Sequence, residues 1–237
     1  MPATQQPIPS PTWSEIPVHV LDFEGSVRTG VIEYGIATLH RGEIVATHTR
    51  LCAPLASVPP KETRCHGLRD TDLANAGPFS ENWGFFAEMR RTGFFCAHHV
   101  STEQTLLKAT WPYPGAMPDH AHPGEFLNAW DPWLDTHHLA RVMLPDLPDH
   151  KLENLVQHFS LGTALVEAAE NHCPPRRRKY HCALYDALAA ALLLQRLVGI
   201  FHKNHAAPPS VEQLVLASLP PARQQHRIQG TLDFFQD

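Results

Sequence analysis

The sequence predicts an α/β fold: a mixed sheet, three antiparallel strands and then parallel strands, covered by helices. Three observations predict it. Three strand-like segments follow one another directly near the start; after them, short apolar runs alternate with helical patterns. The third is bulk: 43% hydrophobic and 18% charged residues in a chain of 237 supply one full core and are unlike a disordered acidic or basic protein.

Taken in order, residues 1–15 have the polar, proline-rich composition of a flexible arm, and a folded body is expected over 16–205. HVLDFEG is a strand whose apolar run ends in acidic residues. VIEYGIATLH alternates as a second strand, and GEIVATHTRL follows a turn at Arg41 and Gly42. SENWGFFAEMRR has helical spacing, GFFCAHH reads as a buried strand, and STEQTLLKAT returns to helix. After an irregular stretch over 111–132, WLDT is a short strand. HHLARVML, KLENLVQHF, TALVEAAENH and the long ALYDALAAALLLQRLVGI are helical. Residues 206–237, rich in Pro and Gln, read as a flexible tail.

Composition excludes a few classes. A net charge of −5 argues against a wholesale nucleic-acid coat, although a local cleft needs only a few basic residues. Five cysteines with no CxxC pair fit a reducing cytoplasm better than a disulfide scaffold. No targeting pattern opens the chain, and ALAAALLL at 187–194 is far short of the roughly 20 residues that span a bilayer, so no membrane role is expected. Cys-His pairs such as Cys65-His66 and His181-Cys182 lack the paired spacing of structural zinc sites.

Three short segments carry the chemistry. In VLDFEG, Asp22 and Glu24 are two residues apart on a strand, hence on one face, where they repel each other unless a cation lies between them. A hard divalent cation with oxygen ligands suits such a pair; a solvated strand end is the alternative. In AHHVSTE, Glu103 falls on the first turns of a helix. In HCALYDA, His181 precedes a helix and Asp186 lies near its N-terminus, positions that also suit a capping histidine and a charge favourable to the helix dipole.

Together, DxE on the first strand, an acidic residue after AHH, and HxxxxD before a long apolar helix resemble the DEDDh family of 3′-to-5′ exonucleases, a DnaQ-like group with an RNase H-like fold. The likeness covers about residues 17–200. It extends to VPPKETRCHGLRDTDLANAGPF, with His66 and Gly67, and to WLDTHHLARVMLPDLPDHKLENLVQHF. At the second segment the family usually reads Gly-His-Asn, two residues, then Phe-Asp; here His99, Thr102 and Glu103 stand at the Asn, Phe and Asp positions. Glu103 keeps the carboxylate and reaches a metal if its helix sits about one C–C bond length further back. The variant is DEEDh in type.

The resemblance implies two divalent cations, Mg or Mn, about 3.5 to 4 Å apart. One is held by Asp22, Glu24 and Asp186, the other by Asp22 and, through water, Glu103. His181 takes the proton of the attacking water, and the products are 5′-mononucleotides from a 3′ end. Phe23 and Ser26 are candidates for contact with the terminal nucleotide, although Phe23 also suits the core. Arg176, Arg177, Arg178 and Lys179, directly before His181, are candidate phosphate contacts. The chain ends QGTLDFFQD, in which Gln229, Leu232, Phe234 and Phe235 resemble the short peptide that docks replication and repair proteins on a sliding clamp. DNA is the favoured substrate; RNA trimming and a catalytically silent nucleic-acid-binding adaptor are the competing readings.

Overall fold

The computed structural model describes residues 9–204 and 207–220. Strands β1 (Val18–Ser26), β2 (Gly30–His40) and β3 (Glu43–Leu51) form the antiparallel start. Then come α1 (Pro60–His66), α2 (Asp70–Leu73), a 3₁₀ turn at Phe79–Asn82, α3 (Trp83–Thr92), β4 (Phe94–Ala97) and α4 (Val100–Thr110). A two-rung hairpin, β5 (Met117–Pro118) and β6 (Phe126–Leu127), precedes β7 (Trp133–Asp135). The remainder is helical: α5 (Thr136–Met143), α6 (Leu152–His158), α7 (Gly162–His172), a 3₁₀ turn at Pro175–Arg177, α8 (Ala183–Asn204) and α9 (Val211–Ser218).

The main sheet runs β3-β2-β1-β4-β7, with β4 and β7 joined parallel to β1 and to each other. The period of two along β1 sorts its side chains between two layers. Val18 and Val20 enter the core shared with α8, whereas Leu21 and Phe23 enter an aromatic core with Phe79 and Phe86. Asp22 and Glu24 continue the first of these faces, so β1 delivers them toward α8.

Gly35 sets how near α8 comes. It is the register partner of Asp22 on β2, and a Cβ there would lie 2.1 Å from the Leu184 backbone nitrogen. The missing side chain lets the first turn of α8 rest against the sheet beside Asp22, and Asp186 comes with it.

Several expectations are corrected. The stretch 111–132 is anchored: Trp130 is fully buried, and its indole donates to the Trp111 carbonyl at 2.8 Å. Residues 211–218, expected to be part of a flexible tail, form a helix capped by Ser210 and Gln213, with Val211, Leu214 and Val215 buried. Its start is tied to the N-terminal segment, where Thr12 bridges to Ser210 and Trp13 is buried, so residues 12–15 are packed against the body rather than free of it. Each anchor is an apolar side chain in a polar neighbourhood, burial of which is worth about 1.5–3 kcal/mol. Apolar sequence also runs well past 187–194: by length and composition Ala183–Lys203 would suffice for a membrane span, yet most of its apolar stretch is buried within the molecule, against the sheet and α5–α7. The clamp-like peptide 229–235 lies outside the described residues.

Candidate metal centre and active site

Three elements bring acidic side chains to one end of the sheet. β1 carries Asp22 and Glu24 to its C-terminal end, where a bulge between Glu24 and Gly25 breaks the regular pairing with β2. α4 carries Glu103, 4% exposed, and the first turn of α8 carries Asp186, 8% exposed. One carboxylate oxygen each of Glu24 and Asp186 and one ring nitrogen of His181 lie within 4.8 Å of one another. Asp22 and Glu103 stand outside that compact set, but their charges are felt within it. Burial drives the Asp22 carboxyl well above the usual range, and Asp186, Glu24 and Glu103 push it further.

The other carboxylates show the same conflict. Glu24 is pushed up to about 8 by burial, then by Asp186 and Glu33, against an opposing pull from Arg177. Asp186 rises to about 7, chiefly through burial, although the His181 backbone N–H donates to its Oδ2 at 2.8 Å. Burial also raises Glu103 well above its ordinary value, with Asp135 and Glu24 adding repulsion. Glu103 Oε2 and Asp186 Oδ1 are buried and, among the described residues, accept no hydrogen bond. Buried acceptors without donors, in a cluster that repels itself, are costly for the chain alone. An all-oxygen set of this kind fits a hard divalent cation.

His181 is exposed and sits in the left-handed region at φ +60, where the chain turns from the 3₁₀ segment into α8. It shares a cavity of about 260 Å³ with His98, His99, Lys151, Tyr180 and Asp186.

The candidate substrate contacts divide. Phe23 is a core residue, 5% exposed and edge-on to Phe79 and Phe86, so it presents no ring to a nucleotide. Ser26 is spent on the β1–β2 turn, exchanging hydrogen bonds with Thr29. Arg177 is engaged inside the protein: its guanidinium grips both oxygens of Glu33, with Nε to Oε1 at 3.0 Å, and donates to the His66 carbonyl at 2.6 Å. Arg178 donates to the Cys173 and Glu170 carbonyls. Arg176 and Lys179 are exposed.

Sequence reasoning missed Glu33, Gly35 and the histidines around Asp135. Glu33 pairs with Glu24 in register, is buried, and accepts from the Ala183 N–H, capping the start of α8. A charged residue inside an apolar strand and a glycine two positions later were the available signals. Asp135 accepts from the His99, Val100, His137 and His138 backbone N–H groups, which joins the start of α4 to the start of α5.

No family model matches the chain. It is 23% identical over 194 residues to DNA polymerase III subunit epsilon of Treponema pallidum, covering 78% of this chain and 79% of that one. It is 24% identical to the PolC-type DNA polymerase III of Streptococcus sanguinis over 80% of this chain, which corresponds to 11% of that longer protein. Among solved structures, Exonuclease X in complex with 5′-overhanging duplex DNA superposes with a TM-score of 0.58 at 20% identity, covering 85% of this chain and 99% of that one. The nuclease domain of 3′hExo, a DEDDh family member bound to rAMP, gives 0.54 at 12% identity, with 80% and 94% covered. The fold is therefore that of the RNase H-like exonucleases: a mixed sheet flanked by helices.

Proposed function

We propose that the chain is a metal-dependent 3′-to-5′ exonuclease that releases 5′-mononucleotides from the 3′ end of DNA. The observation that carries this reading is the convergence of four carboxylates, Glu24, Glu103 and Asp186 buried and Asp22 half-buried, from β1, α4 and α8, beside an exposed histidine that lines a cavity. Asp22, Glu24 and Asp186 would hold one divalent cation, Mg or Mn, and Asp22 with Glu103, through water, a second. Bound there, the cations supply positive charge to the attacking and leaving oxygens of a phosphodiester. The carboxylates fix where that charge sits and exclude other occupants by their burial. His181, tethered through its own N–H to Asp186, presents its ring to the cavity and accepts the proton of the attacking water.

DNA is favoured because subunit epsilon and Exonuclease X act in DNA contexts by name. RNA remains the second substrate class, since a neighbour of the same fold holds rAMP. Docking of Gln229, Leu232, Phe234 and Phe235 on a sliding clamp, in replication or repair, is proposed from the terminal sequence alone, and a cytoplasmic location from the cysteine pattern.

The test is degradation of a 5′-labelled single-stranded DNA, and of an RNA of the same sequence, in Mg or Mn. The wild-type chain should shorten DNA from its 3′ end, Glu103→Ala should abolish the ladder, and Glu103→Asp should retain part of it. No ladder on either strand would sink the nuclease reading and leave a nucleic-acid-binding adaptor.

A further inference from the structure

His99, which lines the same cavity as His181, belongs to a pair of histidine rings that the proposed chemistry does not use. His99 and His137 are stacked, with centroids 3.7 Å apart and planes 24° from parallel. His137 lies within the first turn of α5 and His99 at the N-cap of α4, and Asp135 ties the two by accepting N–H groups from both backbones. His99 is exposed and lines the cavity; His137 covers one of its ring faces, and the other ring beside it among the described residues, His98, stands perpendicular at 89° rather than stacked. Its backbone is left-handed, φ +76, a conformation uncommon for a residue with a side chain and held here by the surrounding hydrogen bonds.

We propose that the open face of His99, backed by His137, is a stacking platform for an unpaired nucleobase beside the scissile phosphate. The inference rests on the nuclease reading above and adds to it a preference for a single-stranded 3′ end. Stacking needs a flat π-face, held rigidly and open on one side; the pair supplies that, and every base offers a matching face whatever the sequence. Burial, with His99 next, lowers the His137 imidazole to about 4, so the backing ring is neutral at physiological pH and stacks without a charge on it. Lys151 also lines the cavity and offers a cation to a backbone phosphate of the stacked nucleotide. A base still paired in a duplex has both faces covered by its neighbours and cannot use the platform.

The experiment is fluorescence anisotropy of a labelled single-stranded oligodeoxynucleotide in EDTA, with the full chain as wild type, His99→Gly and His99→Phe. Glycine removes the ring and adopts the left-handed backbone freely, whereas phenylalanine keeps a π-face. The oligonucleotide is compared with two others, each abasic at one of the two 3′-terminal positions. Loss of a base–aromatic stack predicts roughly 5- to 150-fold weaker binding by His99→Gly. Recovery in His99→Phe, and collapse of the difference on one of the abasic strands, are also expected. Equal binding by wild type and His99→Gly, a glycine defect that persists on both abasic strands, or no binding by the wild-type chain overturns the platform. Degradation of the same strands in Mg or Mn separates the two ideas. Binding with the expected pattern but no degradation retires the nuclease and keeps the platform, and degradation indifferent to His99→Gly does the reverse.

Discussion

Two charged regions lie beside the start of α8, and they are built in opposite ways. The acidic one, Asp22, Glu24, Glu103 and Asp186, is largely buried and self-repelling, and two of its oxygens, Glu103 Oε2 and Asp186 Oδ1, accept no hydrogen bond from the described residues. The basic one, Arg176 to Lys179, looks in the sequence like a free phosphate clamp, but two of its four members are already engaged: Arg177 with Glu33 and Arg178 with backbone carbonyls. A charge that finds its partner inside the fold is structural. A charge buried without one requires something from outside, and that requirement is the mark of a site.

The largest effect should come from the unsatisfied side of this contrast. Asp186→Asn or Asp22→Asn keeps the shape and removes a ligand charge, and hydrolysis should fall by more than the roughly 10–100-fold typical of losing an outer partner of a metal ligand. The melting temperature of the metal-free variant should rise, because one repelling charge is gone; initial rates and thermal melts in EDTA check both. If activity survives Asp186→Asn, the acidic cluster is not the reaction centre.

On the satisfied side the loss should be of stability. Arg177→Ala leaves Glu33 buried without its counter-ion, and breaking such a pair costs about 3–5 kcal/mol. Urea melts should show it, while Arg176→Ala and Lys179→Ala, both at exposed positions, should stay within about 0.5 kcal/mol of wild type. An Arg177 variant as stable as the parent would return that residue to the pool of phosphate contacts. Gly35→Ala tests the approach that joins the two regions: its Cβ would meet the Leu184 nitrogen at 2.1 Å, so α8 must shift. Activity should fall together with stability, by about 100-fold for a displacement near 1 Å at the chemistry.

Most of the frame was legible in the sequence because it rests on local periodicity: the three opening strands, β4 and β7, and helices α3 to α8 stand where the patterns lie. Asp22, Glu24 and Asp186 were legible because short spacings fix their directions on a strand and at a helix start. What escaped depends on distant partners. Arg177 meets Glu33 across 144 residues, a pairing that no local pattern encodes. Phe23, whose alternation away from Asp22 already suited the core, does fall into the aromatic core rather than onto a ligand. Helix α9 went unread because Pro- and Gln-rich sequence flanks its short apolar run, and the elements it packs against, β7 and α5, lie far back in the chain.

The smallest effect, a slope in stability with pH, sharpens the comparison further. Glu24 and Asp186 titrate in the folded chain at about 8 and about 7, above their ordinary values of 4.5 and 3.8. The folded state therefore holds protons that the unfolded chain has released, and stability falls as pH rises toward 8. Below pH 6.5 the buried histidines work the other way: His19 and His98, lowered to about 4 and about 3 mainly by burial, remain neutral in the fold while the unfolded chain takes up protons, so their contribution is lost on acidification. The two trends overlap at acidic pH and separate between 6.5 and 8, where the carboxylates act alone. In EDTA the melting temperature should decline across that window. With millimolar Mg or Mn the decline should flatten or reverse, since a cation binds the ionised carboxylates of the folded chain and stabilises it by mass action. A decline that persists unchanged with metal would mean that the acidic cluster does not bind the ion, and the distinction between a charge satisfied within the fold and one completed from outside would fail where it matters most.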